Sequence, residues 1–364
     1  RKAMTAHVAQ LAHEGGKRQR LGGLALVLSV SLSWVCVAQL ARLAEKRTEL
    51  AHHCSIVPLM TCANVALWMA LSVPHALRKA YEFRETGVVK VRASSPDLWR
   101  TDAFDRWQPP RFLALALATN FCYMSALHYL PASLNTAIFC TNPIFTFLLS
   151  ASWLPADIGA TSSSKACAKC AAALFSRSGA HVLLSVAGVV LIVEPWDRAG
   201  NPHYRGVGVA LSLLAALGTA TYQVYFKVTF GDRLRPDEVG LFLAHMGAAG
   251  AMFLSLVLAV LMSTGVYKVD LSSVPWHLVC ATAVASALFN FLIKFGISVD
   301  SPLAMSLATQ IGIPLNLILD VAVVRANIDP TQALGTLAML ASFTLQQRNS
   351  AAHARERYFD EALL

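Results

Sequence analysis

Asn142 precedes Pro143, and Gln310 and Asn316 flank Pro314, so two prolines deep in apolar sequence each carry amide neighbours. Proline lacks an N–H and clashes with the carbonyl four residues back, so it frees backbone acceptors inside a helix. Amides beside such a break can hydrogen-bond a polar solute reversibly, but they bring no nucleophile, acid or base to transform it. Pro131 and Pro143 stand twelve residues apart, and Pro302 and Pro314 repeat that spacing 171 residues later. "LPASLNTAIFCTNPIFTFLLS" and "SPLAMSLATQIGIPLNLILD" therefore read as two copies of one element: a proline, a small and polar turn, then a second proline mid-helix. Paired, interrupted apolar segments in corresponding halves of a chain point to a transporter's binding site. The competing reading is two unrelated kinked spans that share a spacing by chance.

Other polar side chains fall inside the apolar runs, Asn120, Tyr123, His128, Asn135 and Thr141, then Tyr222, Gln223, Tyr225, His245 and Asn290, or at their ends, Lys294 and Asp320. Polar groups at membrane depth are costly and usually face the bundle interior or a wet cavity. The candidate substrate-binding set is Asn120, Tyr123, Asn142, Tyr222, Asn290, Lys294, Gln310, Asn316 and Asp320. Each member has a structural alternative. Amides also bridge helices, at about 0.6 kcal/mol each. Lys294 stands near the end of its span and can snorkel, as can Lys227. Asp320 lies roughly 27 Å along a helix from Pro302, near the non-cytosolic mouth, where Arg325 is a ready partner. Trp68, Phe121 and the tyrosines stack on a ring or a cation, or simply pack.

No GxxxxGK[ST] phosphate loop, HExxH zinc motif or filter-like run occurs, so bound ATP, zinc proteolysis and a selective channel are not indicated. Most of the eight cysteines lie in apolar runs and read as small buried hydrophobes. Cys167 and Cys170 have CxxC spacing without a second pair to complete a metal site. The expectation is a non-enzyme with neither metal nor cofactor.

The elements that must position these groups follow from composition. Of the 364 residues 55% are hydrophobic and 14% charged, against about 25% charged in an ordinary globular domain. Charge-free runs at 21–41, 54–77, 206–226, 239–267, 271–293 and 301–319 each suit one crossing, and the shorter runs 178–193 and 330–347 add two more. The run 112–156 is long enough for two, turning at Leu130 and Pro131. The fold expected is all-α and integral to a membrane, with ten transmembrane helices. It divides into an N-terminal tail at 1–20, a first repeat at 21–195, a second at 206–347 and a C-terminal tail at 348–364. The run 21–41 is too long for a cleavable signal core.

The net charge of +9 orients these spans. With the N-terminus in the cytosol, 22 Lys and Arg fall in cytosolic segments and 7 on the opposite face. That bias follows the positive-inside rule and puts both termini in the cytosol. It also accounts for the basic balance without a nucleic-acid partner. Five spans in each half enter the membrane in opposite senses, which makes the repeat an inverted one. The connection 78–111 reads as a solvated loop, with a short amphipathic helix on the anionic leaflet as its rival. Residues 156–178 read as a flexible cytosolic linker, and the terminal "FDEALL" matches a dileucine sorting pattern.

At "TNFCYMSALHYLPASLNTAIFCTNPIFTFLLS", "ATYQVYFK" and "FNFLIKFGISVDSPLAMSLATQIGIPLNLILD" the sequence resembles the drug/metabolite transporter superfamily. Within it the likeness is to the thiamine-transporter-like F branch of the nucleotide-sugar-transporter group, over about 112–154 and 179–347. The resemblance implies ten helices in an inverted five-plus-five repeat and carries over Thr119, Asn120, Lys227, Asn290, Pro302, Pro314, Asn316 and Asp320. Two departures stand out: a polar amide is usual where this chain has Lys294, and about 20 residues are inserted after the fourth span. The function implied is a secondary carrier that moves a small polar metabolite by alternating access, with thiamine or a related heteroaromatic as the resemblance-based substrate. Lys294 weighs against a cation there. A nucleotide-sugar or organophosphate exchanger ranks second, because it would want several basic groups at midplane. A membrane scaffold or receptor without flux ranks third. The partners expected are a small solute and membrane lipids, with a homodimer and the choice of Golgi, endosomal, vacuolar or plasma membrane left open.

Overall fold

The computed structural model describes residues 22–41, 43–44, 47, 56–86, 108–126, 129–130, 135, 138–153, 176–193, 202–231, 234–319 and 329–363. These residues form helices and turns with no strand among them. The helices are α1 (Gly22–Ala41), α2 (Val57–Leu67), α3 (Val73–Thr86), α4 (Gln108–Ala126), α5 (Asn142–Trp153) and α6 (Arg177–Val193). There follow α7 (Pro202–Phe230), α8 (Pro236–Ser263), α9 (Trp276–Val299), α10 (Pro302–Leu319) and α11 (Pro330–Leu363). A 3-10 segment, Trp68–Ser72, joins α2 to α3. Counted as one rod, that pair brings the described residues to ten helical rods, the number expected.

Proline marks where many of them begin. It is tolerated in the first turn because its missing N–H has no acceptor there, and Pro202, Pro236, Pro302 and Pro330 each open a helix. At α8 the chain adds a reciprocal cap, the Arg235 N–H donating to Glu238 Oε2 at 2.9 Å, with Asp237 and Glu238 in the positive first turn. Inside α10, by contrast, Pro314 interrupts the hydrogen-bond ladder.

This separates the two proline elements. Pro143 stands in the first turn of α5, not mid-helix as expected, because the chain turns at Cys140 and Thr141 before the helix starts. The break lies before Pro143 in the first half and at Pro314 in the second. The C-terminal tail also differs from expectation: α11 runs on unbroken through 348–363. Its 34 residues span roughly 51 Å, more than the ~30 Å of hydrocarbon. Residues 87–107 and 154–175 lie outside the described set, and with them most of the 78–111 and 156–178 segments and the CxxC pair. The turn expected at Leu130 and Pro131 falls close to the observed one, where the Leu130 N–H bonds the Ala126 carbonyl at 2.9 Å.

Five of the helices are long and apolar enough to cross a bilayer, and two more are shorter apolar helices. Their outer faces carry large exposed apolar side chains, Leu256 at 65%, Leu337 at 64% and Met252 at 76% among them. A water-soluble surface would not sustain so much apolar exposure, whereas lipid does. Inside, Phe112 is fully buried and centres a ring cluster with Tyr222, Tyr225, Phe226, Phe230 and Phe242. Among the helix pairings α6 lies along α11, α4 along α7, α2 along α8, and α5 against α10. The α6–α11 crossing is close enough that a Cβ on Gly188 would stand 2.7 Å from the Gly335 carbonyl oxygen, and one on Gly335 2.5 Å from that of Gly188. Small residues permit such backbone approach in a bilayer.

Candidate functional site

The α5–α10 contact holds a run of buried polar side chains. Thr146 Oγ1 donates to Asn142 Oδ1 at 2.9 Å and lies 3.0 Å from Ser306 Oγ. Ser306 Oγ donates to Gln223 Oε1 on α7 at 2.5 Å. Two hydroxyl protons cannot serve three contacts. The run closes in one direction when the Asn142 amide turns its NH2 toward Thr146, giving Asn142 to Thr146 to Ser306 to Gln223. Gln310, one turn beyond Ser306, accepts from Ser185 Oγ of α6 and donates from Nε2 to the Cys140 carbonyl. The seam thus ties α5, α6, α7 and α10 together around the break at Cys140.

Of the candidates, Asn142 and Gln310 are therefore brought to one seam, as their proline neighbours predicted. They face the bundle interior and are shut in this conformation, 4% and 2% exposed. Sequence reasoning passed over Thr146, Ser306 and Ser185, and left Gln223 out of the set. A signal existed: Thr146 is four residues after Asn142, and Ser306 four before Gln310, which places each pair on one helix face.

A second locus lies between α7 and α9. Lys294 is 6% exposed, and its Nζ sits 4.4 Å from the centre of the Tyr222 ring. Tyr222 in turn packs edge-on to Phe112. Lys294 therefore does not snorkel here. Nor does Lys227, which is 8% exposed. Its Nζ donates to the carbonyls of Ile297 at 2.7 Å, Asp300 at 2.8 Å and Ser298 at 3.4 Å. Those are the acceptors that the end of α9 leaves without intrahelical donors, so Lys227 acts as a side-chain cap.

The remaining candidates scatter. Asn290 turns onto its own helix, Nδ2 to the Ser286 carbonyl at 2.9 Å. Asn120 is half-buried on α4. Tyr123 stacks edge-on with Phe139 at 5.1 Å, and its carbonyl accepts from Asn135 Nδ2 at 3.1 Å. Asn316 belongs to α10, though its side chain, like all of Asp320, lies outside what the structure describes. Asn64 Oδ1 on α2 and Trp68 Nε1 at the start of the 3-10 segment are buried with no hydrogen-bond partner among the described residues. Those two atoms, a turn apart, were not anticipated as a pair. No group of three or more metal-ligating side chains forms among the described residues.

The two ends of the bundle are closed differently. Asp237, at the start of α8, lies 2.7 Å from Arg78 Nη2 and 3.3 Å from His75 Nδ1 of α3. Toward the other end Ala44, Ile56, Met60, Val274 and Val279 form a small apolar cluster.

No family model matches the chain. It is 26% identical over 307 residues to human "Solute carrier family 35 member F3", covering 82% of this chain and 66% of that one. Mouse "Solute carrier family 35 member F4" is 27% identical over 289 residues, covering 76% and 53%. The chain thus spans less than two thirds of the length of the curated relatives it matches. A solved crystal structure with 15% identity superposes at a TM-score of 0.61 over 90% of this chain and 98% of the other, which is a likeness of fold. The protein is a multi-pass membrane protein of helices, and its relatives are members of solute carrier family 35.

Proposed function

We propose that the chain is a secondary carrier for a small polar metabolite, working by alternating access between two inverted five-helix halves. The observation that carries this reading is the α5–α10 seam. Three of its links, Thr146 to Ser306, Gln310 to Cys140 and Gln310 to Ser185, join one half to the other. All are hydrogen bonds between neutral groups, each worth about 0.6 kcal/mol within a membrane, which a polar solute can replace at little cost. A pair of serines supports the repeat. Ser31 of α1 donates to the Ala308 carbonyl of the opposite half at 2.7 Å. Ser212 of α7 donates to the Asn135 carbonyl at 3.0 Å. The first helix of each half thus holds the fourth span of the other, as a two-fold relation would have it.

In this scheme the Asp237–Arg78 ion pair latches the cytosolic end and must open once per cycle. Thiamine or a related heteroaromatic is the substrate that the sequence resemblance suggests, and a nucleotide-sugar or organophosphate exchanger is the alternative. Purified protein in liposomes, given labelled vitamins, nucleotide sugars and organophosphates singly and as counter-substrates, tests the reading. Saturable uptake of at least one solute is expected. Leakage no greater than that of protein-free vesicles across the panel overturns transport in favour of a scaffold.

A further inference from the structure

Lys294 is a buried lysine with no counter-charge among the described residues. The apolar runs 21–41, 54–77, 112–156, 178–193, 206–226, 239–267, 271–293, 301–319 and 330–347 contain no Asp or Glu at all. Every carboxylate therefore falls outside these runs in the sequence, and Asp320, directly after the run 301–319, lies outside the described residues. The nearest along the chain, Asp300, lies beyond the end of α9, where it feels the charge of Lys227. No carboxylate among the described residues lies within ion-pair distance of Lys294 Nζ. What it does meet is the face of Tyr222 at 4.4 Å.

A ring face offsets only part of an ammonium's dehydration. A desolvated cation–π contact is worth about 2 kcal/mol, while burying an ion costs several. A buried amine is accordingly paired or neutral; no described carboxylate pairs Lys294, which leaves it open to a negative group brought by a solute. Lys227 cannot share the task, since three backbone carbonyls occupy it. Of the two buried lysines, Lys294 is thus the one without a carbonyl acceptor among the described residues. Trp68 Nε1 is a second buried donor without a partner among the described residues, and its side chain packs against the large core cluster that also includes Tyr222 and Ile293.

We infer that Lys294 is the anchor for a single negative group on the transported solute, so the substrate is a ring-bearing monoanion, not a cation or a multiply charged phosphate. This rests on the carrier reading above and narrows it. One cation balances one negative charge. A second negative charge would enter the span unpaired, and a positive one would face Lys294 itself.

Matched probes separate charge from shape: pyridine-3-carboxylate, its neutral amide, the N-methylated cationic amide and the dianionic pyridine-2,3-dicarboxylate. Binding is read as thermal stabilisation of the detergent-purified full chain, and flux in liposomes. The monoanion should stabilise the wild type at concentrations at least tenfold below those needed for the other three. Lys294→Gln should weaken monoanion binding by roughly thirtyfold or more, the scale on which truncating one partner of a buried charge pair acts, and leave the neutral amide unchanged. Lys294→Arg should keep the preference for the monoanion. Equal binding of all four probes, no binding of the monoanion, or a monoanion preference that survives Lys294→Gln would overturn the assignment. If a neutral or cationic solute is carried regardless of Lys294, the inference fails and transport stands. If the monoanion binds through Lys294 but no solute crosses, transport fails and the inference stands.

Discussion

Replacing Lys227 by Met tests whether a lysine at the end of a span is held by the fold or merely reaches for water. Methionine keeps the length and apolar body of the side chain and removes the three donors. The structure shows two short bonds, to Ile297 and Asp300, and a longer third to Ser298. Hydrogen bonds from a charged donor contribute about 1.5–3 kcal/mol each, and a cation at a helix C-terminus adds about 0.3–1 kcal/mol. Two good bonds and the dipole contribution thus come to about 3–7 kcal/mol. Removing a buried ammonium recovers part of this, because its dehydration is no longer needed. The expected net loss is about 2–4 kcal/mol. Reversible unfolding in mixed micelles, with helix content followed as the denaturing detergent fraction rises, reads that difference directly. Lys227→Arg restores donors to the same carbonyls and should regain at least half of it. A Met variant within about 0.5 kcal/mol of wild type, the range of a surface substitution, would refute the cap and return Lys227 to a snorkelling role.

Asn142→Leu removes the amide that starts the polar run to Gln223, and uptake should fall at least tenfold while the protein still reaches its membrane; undiminished uptake rejects the seam as part of the pathway. Gly335→Ala places a methyl against the Gly188 carbonyl, and the resulting overpacking should cost about 1–3 kcal/mol in the same unfolding assay, whereas an unchanged midpoint denies the close α6–α11 crossing. A tag after Leu364 should be cut by protease admitted to the cytosolic face alone; protection there contradicts the orientation drawn from the 22 and 7 basic residues.

The amino-acid sequence by itself determined the solvent of this protein and the number of its helices. Charge-free runs of the right length have few folded outcomes other than membrane helices, since each unpaired backbone group in hydrocarbon costs several kcal/mol. Helices in the structure also begin at the prolines at 202, 236, 302 and 330, because a missing N–H goes unnoticed only in the first turn. Asn142 and Gln310 were marked out by the prolines near them, and both lie along the α5–α10 contact. What the sequence left open were the choices that depend on a second helix. Pro143 and Pro314 look alike along the chain, yet one begins a helix and the other interrupts one, according to whether the preceding residues turn or continue. Lys227 and Lys294 look alike too, each near the end of an apolar run. Only the packing of α7 against α9 gives the first its three carbonyls and leaves the second facing a ring. Hydropathy records the cost of burying an ammonium and is blind to which neighbours repay it.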